Sequence, residues 1–87
     1  MMPPMSETTP PDTISAIRSA VLEKLPDATV EVTTNGGGHY ALLVKSPAFR
    51  GRSMLESHRL VYAAIAPLMA GDLAPVHAID TLRTVAD

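Results

Sequence analysis

The spacing of hydrophobic residues changes along the chain, and the first stretch has the spacing of a helix. Apolar side chains recur every three or four residues at Ile14, Ile17, Val21 and Leu25, as on one face of a helix. Asp12 or Thr13 is a suitable N-cap directly after two prolines. Pro26 ends the pattern, because the residue before a proline is pushed out of helical geometry. We therefore predict a first helix from Asp12 or Thr13 to about Leu25.

The next stretch alternates between apolar and polar side chains, which is typical of a half-buried strand. Val30 and Val32 share one face of a predicted strand from Ala28 to Thr34. Residues 35–38, Asn-Gly-Gly-Gly, predict a hairpin loop, since glycine takes positive φ without steric cost. The return strand, His39–Ser46, is apolar on both faces, which favours a central position in the sheet.

A corner and a second helix follow the hairpin. Pro47 cannot donate to a sheet ladder, and Gly51 supplies the backbone freedom for the corner. Ser53 and Glu56 have the spacing of a capping box, so we predict a helix from about Ser53 to Met69. Helical spacing predicts a buried stripe on this helix. Its members are Met54, His58, Val61, Ile65 and Leu68.

The last part of the chain predicts a break in the helix and one more strand. Pro67 lies inside the helical pattern, so the last turn is expected to be bent or lost. Gly71 is a suitable helix stop, and a last strand is predicted from Val76 to about Thr84. The element order is α-β-β-α-β, with a right-handed helical crossover before the last strand. It predicts an α+β fold, a three-stranded mixed sheet with both helices on one face.

Composition narrows the class of protein. The 87 residues predict one domain at 12–87 after a flexible tail at 1–11. A net charge of −2 argues against holding nucleic acid by bulk electrostatics. The absence of cysteine excludes disulfides and thiol catalysis. No apolar run reaches the roughly 18 residues of a membrane span, and the first residues lack the features of a signal peptide. We expect a cytoplasmic protein with no membrane partner.

Histidines are the candidates for metal chemistry. His39 opens the second strand and His77 the third, so both could approach one edge of the sheet. Two imidazoles are an incomplete site for zinc but a half-site for iron if a partner brings thiolates, as Rieske centres show for mixed ligation. His58 falls on the buried helix stripe and is interpreted as structural. Asp80 and Glu56 are interpreted as surface and cap residues, and no residue pattern predicts an enzyme.

Five short motifs lie in order along the chain: His39-Tyr40, Val44-Lys45-Ser46, Phe49-Arg50-Gly51, the run from His58 to Tyr62, and Val76-His77-Ala78. Together they resemble the BolA family. They are similar to that family's V-x-S strand end, F-x-G corner, R-H-R helix and closing H-A strand, over roughly 14–84. Ser57 stands where the family usually has arginine, which suggests a gap in a basic surface. The resemblance implies a fold similar to the type II KH fold.

The resemblance also implies a partner and a shared cofactor. BolA-like proteins pair with monothiol glutaredoxins and share a [2Fe-2S] cluster, for which the partner and a bound glutathione provide thiolates. The histidine of the closing H-A motif, here His77, is implied as a ligand. The second ligand comes from the first hairpin, where His39 is the candidate; a role in capping the strand edge stays open for it. No cofactor is expected in the isolated chain, which we expect to be a monomer or a weak homodimer.

Basic residues around the corner allow two functional interpretations. We interpret Arg50, Gly51, Arg52 and Arg59 as a docking surface for an acidic partner. The preferred function is a non-enzymatic adaptor in iron–sulfur cluster trafficking or iron sensing. The alternative is a DNA- or RNA-binding transcriptional regulator, since KH-like folds bind single strands through a G-x-x-G loop. The corner lacks that motif, and aromatic residues for base stacking are few.

Overall fold

The computed structural model describes residues 13–71 and 74–87, which contain two helices and a three-stranded sheet. The elements are α1 (Thr13–Lys24), β1 (Thr29–Gly36), β2 (His39–Ser46), a 3-10 turn (Pro47–Phe49), α2 (Met54–Met69) and β3 (Ala78–Ala86). β2 is central, antiparallel to β1 and parallel to β3. The predicted α+β class, element order and mixed sheet are confirmed. The predicted tail at 1–11, and Asp12 as a helix start, lie outside the described residues.

The core lies between the two helices and one face of the sheet. From β2, Tyr40, Leu42 and Val44 are buried, while the alternate side chains are partly exposed. The helix residues of this core include Ile17 and Val21 from α1 and Val61 and Ile65 from α2, all fully buried. Both helices therefore cover the same face, and β2 keeps a strict alternation in burial although both of its faces are apolar.

The buried face of α2 is rotated from the predicted one. Met54 is 72% exposed and His58 is only half-buried, whereas Ser57 and Ala64 are buried with Val61. The prediction was wrong at positions 54 and 58 because hydrophobicity pointed to Met54, while packing places the small side chain of Ser57 against the core. Position 57 is therefore interior in this chain.

Both ends of α2 have sequence-encoded signals. Ser53 Oγ accepts from the Glu56 backbone N–H at 3.1 Å, and the Glu56 carboxylate accepts from the Ser53 N–H at 3.0 Å, which confirms the capping box. The helix continues through Pro67 to Met69; of the two predicted outcomes for its last turn, bent or lost, the loss is therefore wrong. Gly71 follows with a φ of 88°, the left-handed conformation that ends many helices.

The hairpin turn is tighter than predicted, and β3 begins later. β1 extends to Gly36, which leaves Gly37 and Gly38 as a two-residue turn with φ values of 63° and 82°. Positive φ at both central residues is the requirement of a type I′ turn, which matches the twist of the flanking strands. β3 starts at Ala78 and not at Val76, so His77 lies immediately before the strand.

None of the described helices is long and apolar enough to cross a membrane.

Candidate functional site

The turn of the first hairpin and the approach to β3 meet at one edge of the sheet, and both predicted histidine ligands lie there. The Gly38 carbonyl accepts hydrogen bonds from the His77 N–H at 2.8 Å and the Ala78 N–H at 3.2 Å. His39, the residue after Gly38, is paired with Ala78 in the parallel register. Since neighbouring strands lie about 4.8 Å apart, the backbones of the two histidines are adjacent. We call residues 36–39, His77 and Asp80 the hairpin edge.

His77 is exposed and packs against a glycine. A Cβ placed on Gly38 would lie only 2.8 Å from His77 Cγ and 3.2 Å from His77 Cβ. The α-carbon of Gly38 is therefore in direct contact with the base of the imidazole side chain, and the absence of a side chain at position 38 is what makes room for His77. The three consecutive glycines at 36–38 add no side chains of their own to this edge.

His39 is held by a carboxylate. Its Nδ1 lies 2.9 Å from Asp80 Oδ1, and the Asn35 side-chain amide donates to Asp80 Oδ2 at 3.1 Å. The side chains of His39 and Asp80 are 48% and 42% exposed. The hydrogen bond with His39, and next the one from Asn35, lower the pKa of Asp80 from its ordinary value of 3.8. Asp80 is therefore a carboxylate at neutral pH, and it joins the two sides of the hairpin to β3.

A β-bulge places Asp80 beside His39. In the pairing of β2 with β3, Tyr40 is opposite Ile79 and Ala41 is opposite Thr81, so Asp80 is the extra residue. Bulges of this kind redirect a side chain. The sequence interpretation of Asp80 as a plain surface residue missed this role, and it gave Asn35 no role beyond the hairpin loop. The available signal was the apolar spacing of Ile79 and Leu82, three residues apart, which does not fit regular strand alternation.

The hairpin edge has the donor chemistry of half a metal site. Among the described residues, no three His, Cys, Asp or Glu side chains come together in a way that could hold a metal ion. Two exposed imidazoles, one on each of two adjacent backbones, fit the histidine share of a mixed histidine–thiolate ligand set. They do not complete a site, because structural metal sites take about four protein ligands. Residues 13–71 and 74–87 therefore supply part of a ligand set and not a complete one.

The predicted docking residues lie at the opposite end of the sheet. Arg50, Gly51, Arg52 and Arg59 are all exposed, and Arg52 Nε donates to the Ala48 carbonyl at 2.9 Å. They follow the carboxyl end of β2, whereas His39 begins it. Seven steps of about 3.3 Å along this strand separate the two ends by about 23 Å. The structure therefore brings the two histidines together but not the histidines and the arginines. His58 lies on α2, immediately before Arg59.

The fold and the edge define a small α+β domain that presents two histidines at one end of a mixed sheet. The sequence model of the family described as BolA-like protein matches residues 14–86, and the chain belongs to the BolA family. It is 36% identical over 74 residues to human BolA-like protein 1, which covers 75% of this chain and 52% of the human protein. The chain thus spans about half the length of the curated relatives it matches.

Solved structures agree with this assignment. The crystal structure of a bol-like protein from Babesia bovis superposes with a TM-score of 0.70 at 27% identity, covering 87% of this chain and 88% of that one. A bolA protein homologue from Coxiella burnetii gives a TM-score of 0.60, also at 27% identity, over 82% of this chain and 87% of that one. The solution structure of mouse BolA1 gives a TM-score of 0.62 at 30% identity, covering 87% of this chain and 67% of the mouse chain.

Proposed function

We propose that this protein is a non-enzymatic cytoplasmic adaptor that shares a [2Fe-2S] cluster with a monothiol glutaredoxin, in cluster trafficking or iron sensing. The observation that carries the proposal is the exposed edge at which His39 and His77 lie on adjacent backbones. Membership of the BolA family makes the glutaredoxin the partner of choice. The cluster is cargo, and we expect no cofactor in the isolated chain.

The chemistry of the edge supports ligand donation. The chain supplies neutral imidazole nitrogens, and the partner with its bound glutathione supplies thiolates, because this chain has no cysteine. Imidazole in place of thiolate raises the reduction potential of a two-iron cluster, and it makes ligation sensitive to protonation. The glycines at 36–38 leave the approach open, and the Gly38 carbonyl holds the backbone of His77 in place.

The decisive experiment mixes the protein with a reconstituted glutaredoxin holo-dimer and follows visible absorption and circular dichroism. We expect a changed cluster spectrum, which His77→Ala abolishes and His39→Ala alters. His58→Ala is the matched control, because His58 is a half-buried histidine of α2 and not one of the residues of the hairpin edge; it should behave like the unmodified protein. If no heterocomplex forms, or if His77→Ala leaves the spectrum unchanged, the proposed function is wrong.

We further propose that the exposed arginines of the corner, Arg50, Arg52 and Arg59, add a separate docking contact. A domain of about 100 residues has a radius of gyration of about 13 Å, so one partner is wide enough to reach both ends of the sheet. Reversing Arg50 and Arg52 to glutamate should slow association, since charges at a rim act mainly on the rate of encounter. The cluster spectrum at saturation should stay the same. Arg83→Glu, an exposed change on β3, is the control.

The nucleic-acid alternative receives little support from the exposed side chains. Stacking on aromatic rings is a main source of single-strand affinity, yet Tyr40 and Phe49 are buried in the core. Tyr62, at 39% exposure, is the remaining aromatic residue. Salt-dependent binding to single-stranded DNA or RNA at low ionic strength would restore this alternative, and its absence would end it.

A further inference from the structure

We infer that Asp80 is a positioning residue that holds His39 in one tautomer and so makes its Nε2 the nitrogen available to a metal. The part of this inference that concerns the cluster rests on the proposed function. The part that concerns the ring of His39 rests on this chain alone. Neither Asp80 nor Asn35 belongs to the motifs that mark the family resemblance.

The β-bulge gives Asp80 side-chain contacts that it would not make in a regular strand. As the extra residue of the bulge between Ile79 and Thr81, it lies outside the regular pairing of β2 with β3. Its two carboxylate oxygens are used separately, Oδ1 with His39 Nδ1 at 2.9 Å and Oδ2 with the Asn35 amide at 3.1 Å. The amide therefore links Oδ2 to β1, whereas Oδ1 alone contacts the imidazole on β2.

The tautomer follows from the donor and acceptor inventory. An ionised carboxylate only accepts hydrogen bonds, so His39 Nδ1 must carry the proton and donate it. In a neutral imidazole the other nitrogen then has a free lone pair. Within the described residues Nε2 of His39 makes no hydrogen bond. The hydrogen bond of a ligating histidine to a carboxylate is a common arrangement, because it orients the ring and raises the basicity of the ligating nitrogen.

A simpler explanation is that the network only clamps the hairpin to β3. The two explanations differ in what Asn35 does. Asn35→Ala removes the link from Asp80 to β1 but leaves the hydrogen bond between Asp80 and His39. A clamp would be weakened by either substitution, whereas ring positioning would be lost only when Asp80 is replaced. Asn35→Ala is therefore the matched control for Asp80→Ala, and Asp80→Glu tests rescue of the carboxylate.

The first readout is the ¹⁵N spectrum of the imidazoles in the isolated full chain at about pH 8, without any partner or metal. We expect His39 to show protonated Nδ1 and unprotonated Nε2 in the unmodified protein and in Asn35→Ala. In Asp80→Ala it should return to the mixture of free imidazole, in which Nε2–H predominates, and Asp80→Glu should partly restore Nδ1–H. His58 and His77 serve as internal references in the same spectra.

The second readout is the glutaredoxin titration. Loss of a carboxylate that supports a ligating histidine weakens metal binding by about 10- to 100-fold, so Asp80→Ala should raise the holo-dimer concentration at half-conversion by that factor, and Asn35→Ala by much less. An unchanged His39 tautomer in Asp80→Ala, or an equal change in Asn35→Ala, would overturn the inference. Because the ¹⁵N spectra need no partner, failure of the heterocomplex would overturn the proposed function and leave the tautomer result standing.

Discussion

Gly38 serves both the hairpin turn and the placement of His77. Its φ is +82°, and an added Cβ would lie 2.8 Å from His77 Cγ, 3.1 Å from Cδ2 and 3.2 Å from Cβ. Rotation of the imidazole cannot remove all of these contacts, because His77 Cβ is among them. The His77 backbone is also held by its 2.8 Å hydrogen bond to Gly38. Gly38→Ala must therefore displace His77 or open the turn.

The expected loss of stability has two parts. A left-handed conformation costs roughly 1–2 kcal/mol for a residue with a Cβ, of which about 0.4–1 kcal/mol is offset by the lower entropy of the unfolded chain. The collision adds about 1–3 kcal/mol, the usual range for an overpacked site. Gly36→Ala is the matched control, because Gly36 has a φ of +88° and a Cβ there would meet nothing within 4 Å. The difference between the two variants isolates the collision.

Thermal unfolding followed by circular dichroism measures this difference. In a domain of this size 1 kcal/mol shifts Tm by about 4–8 °C, so Gly38→Ala should unfold roughly 4–24 °C below Gly36→Ala. The imidazole C–H signals of His77 should move in Gly38→Ala and stay in place in Gly36→Ala. Equal Tm values for the two variants, with an unshifted His77, would refute the contact on which this reasoning depends.

Two further predictions concern the core and the hairpin edge. Ile65→Ala should lower the free energy of unfolding by about 2–5 kcal/mol, because Ile65 is fully buried. Met54→Ala, on the exposed face of α2, should change it by no more than about 0.5 kcal/mol. Urea denaturation measures both, and similar losses in the two variants would contradict the observed rotation of α2. The pKa of Asp80, measured by NMR titration, should lie below 3.8 and rise towards it in His39→Ala, since the hydrogen bond with His39 is the main cause of the lowering. Because the folded pKa is the lower one, this stabilisation is present above pH 3.8 and is lost as the pH falls through the folded pKa. An unchanged Asp80 pKa in His39→Ala would show that the hydrogen bond does not form in solution.

Local patterns predicted the elements well where their causes are local. In the stripe predicted for the first helix, Ile17, Val21 and Leu25 are buried and Ile14 is partly buried. β2 has the predicted bounds. The capping box at Ser53 forms because both partners lie within one turn of chain. The buried face of α2 was predicted less well. Spacing alone allows a helix to be rotated by one residue, and the contact with the sheet is what selects Ser57 over Met54.

The candidate site was likewise predicted in part. The residue types were visible in the sequence, and two histidines next to predicted strand starts were reason enough to single out His39 and His77. Their adjacency depends on the parallel register of β2 and β3, which joins residues about 40 positions apart. The carboxylate at Asp80 depends further on a bulge in that register. No local sequence pattern predicts the register or the bulge, because both arise from the pairing of two strands that are separated by the helical crossover.

The sequence by itself determined the element order, the α+β class, the lack of cysteine ligands and the family to which the chain belongs. These follow from the spacing of side chains within single elements and from motifs of a few residues. The tertiary structure decided which of the candidate residues meet. It joined His39, His77, Asp80 and Asn35 at one end of the sheet and left the corner that holds Arg50 and Arg52 beyond the other end of β2, a strand about 23 Å long. The physical reason is that strand pairing brings residues that are distant in sequence next to each other in a fixed register. Which residues meet is therefore a property of the assembled sheet.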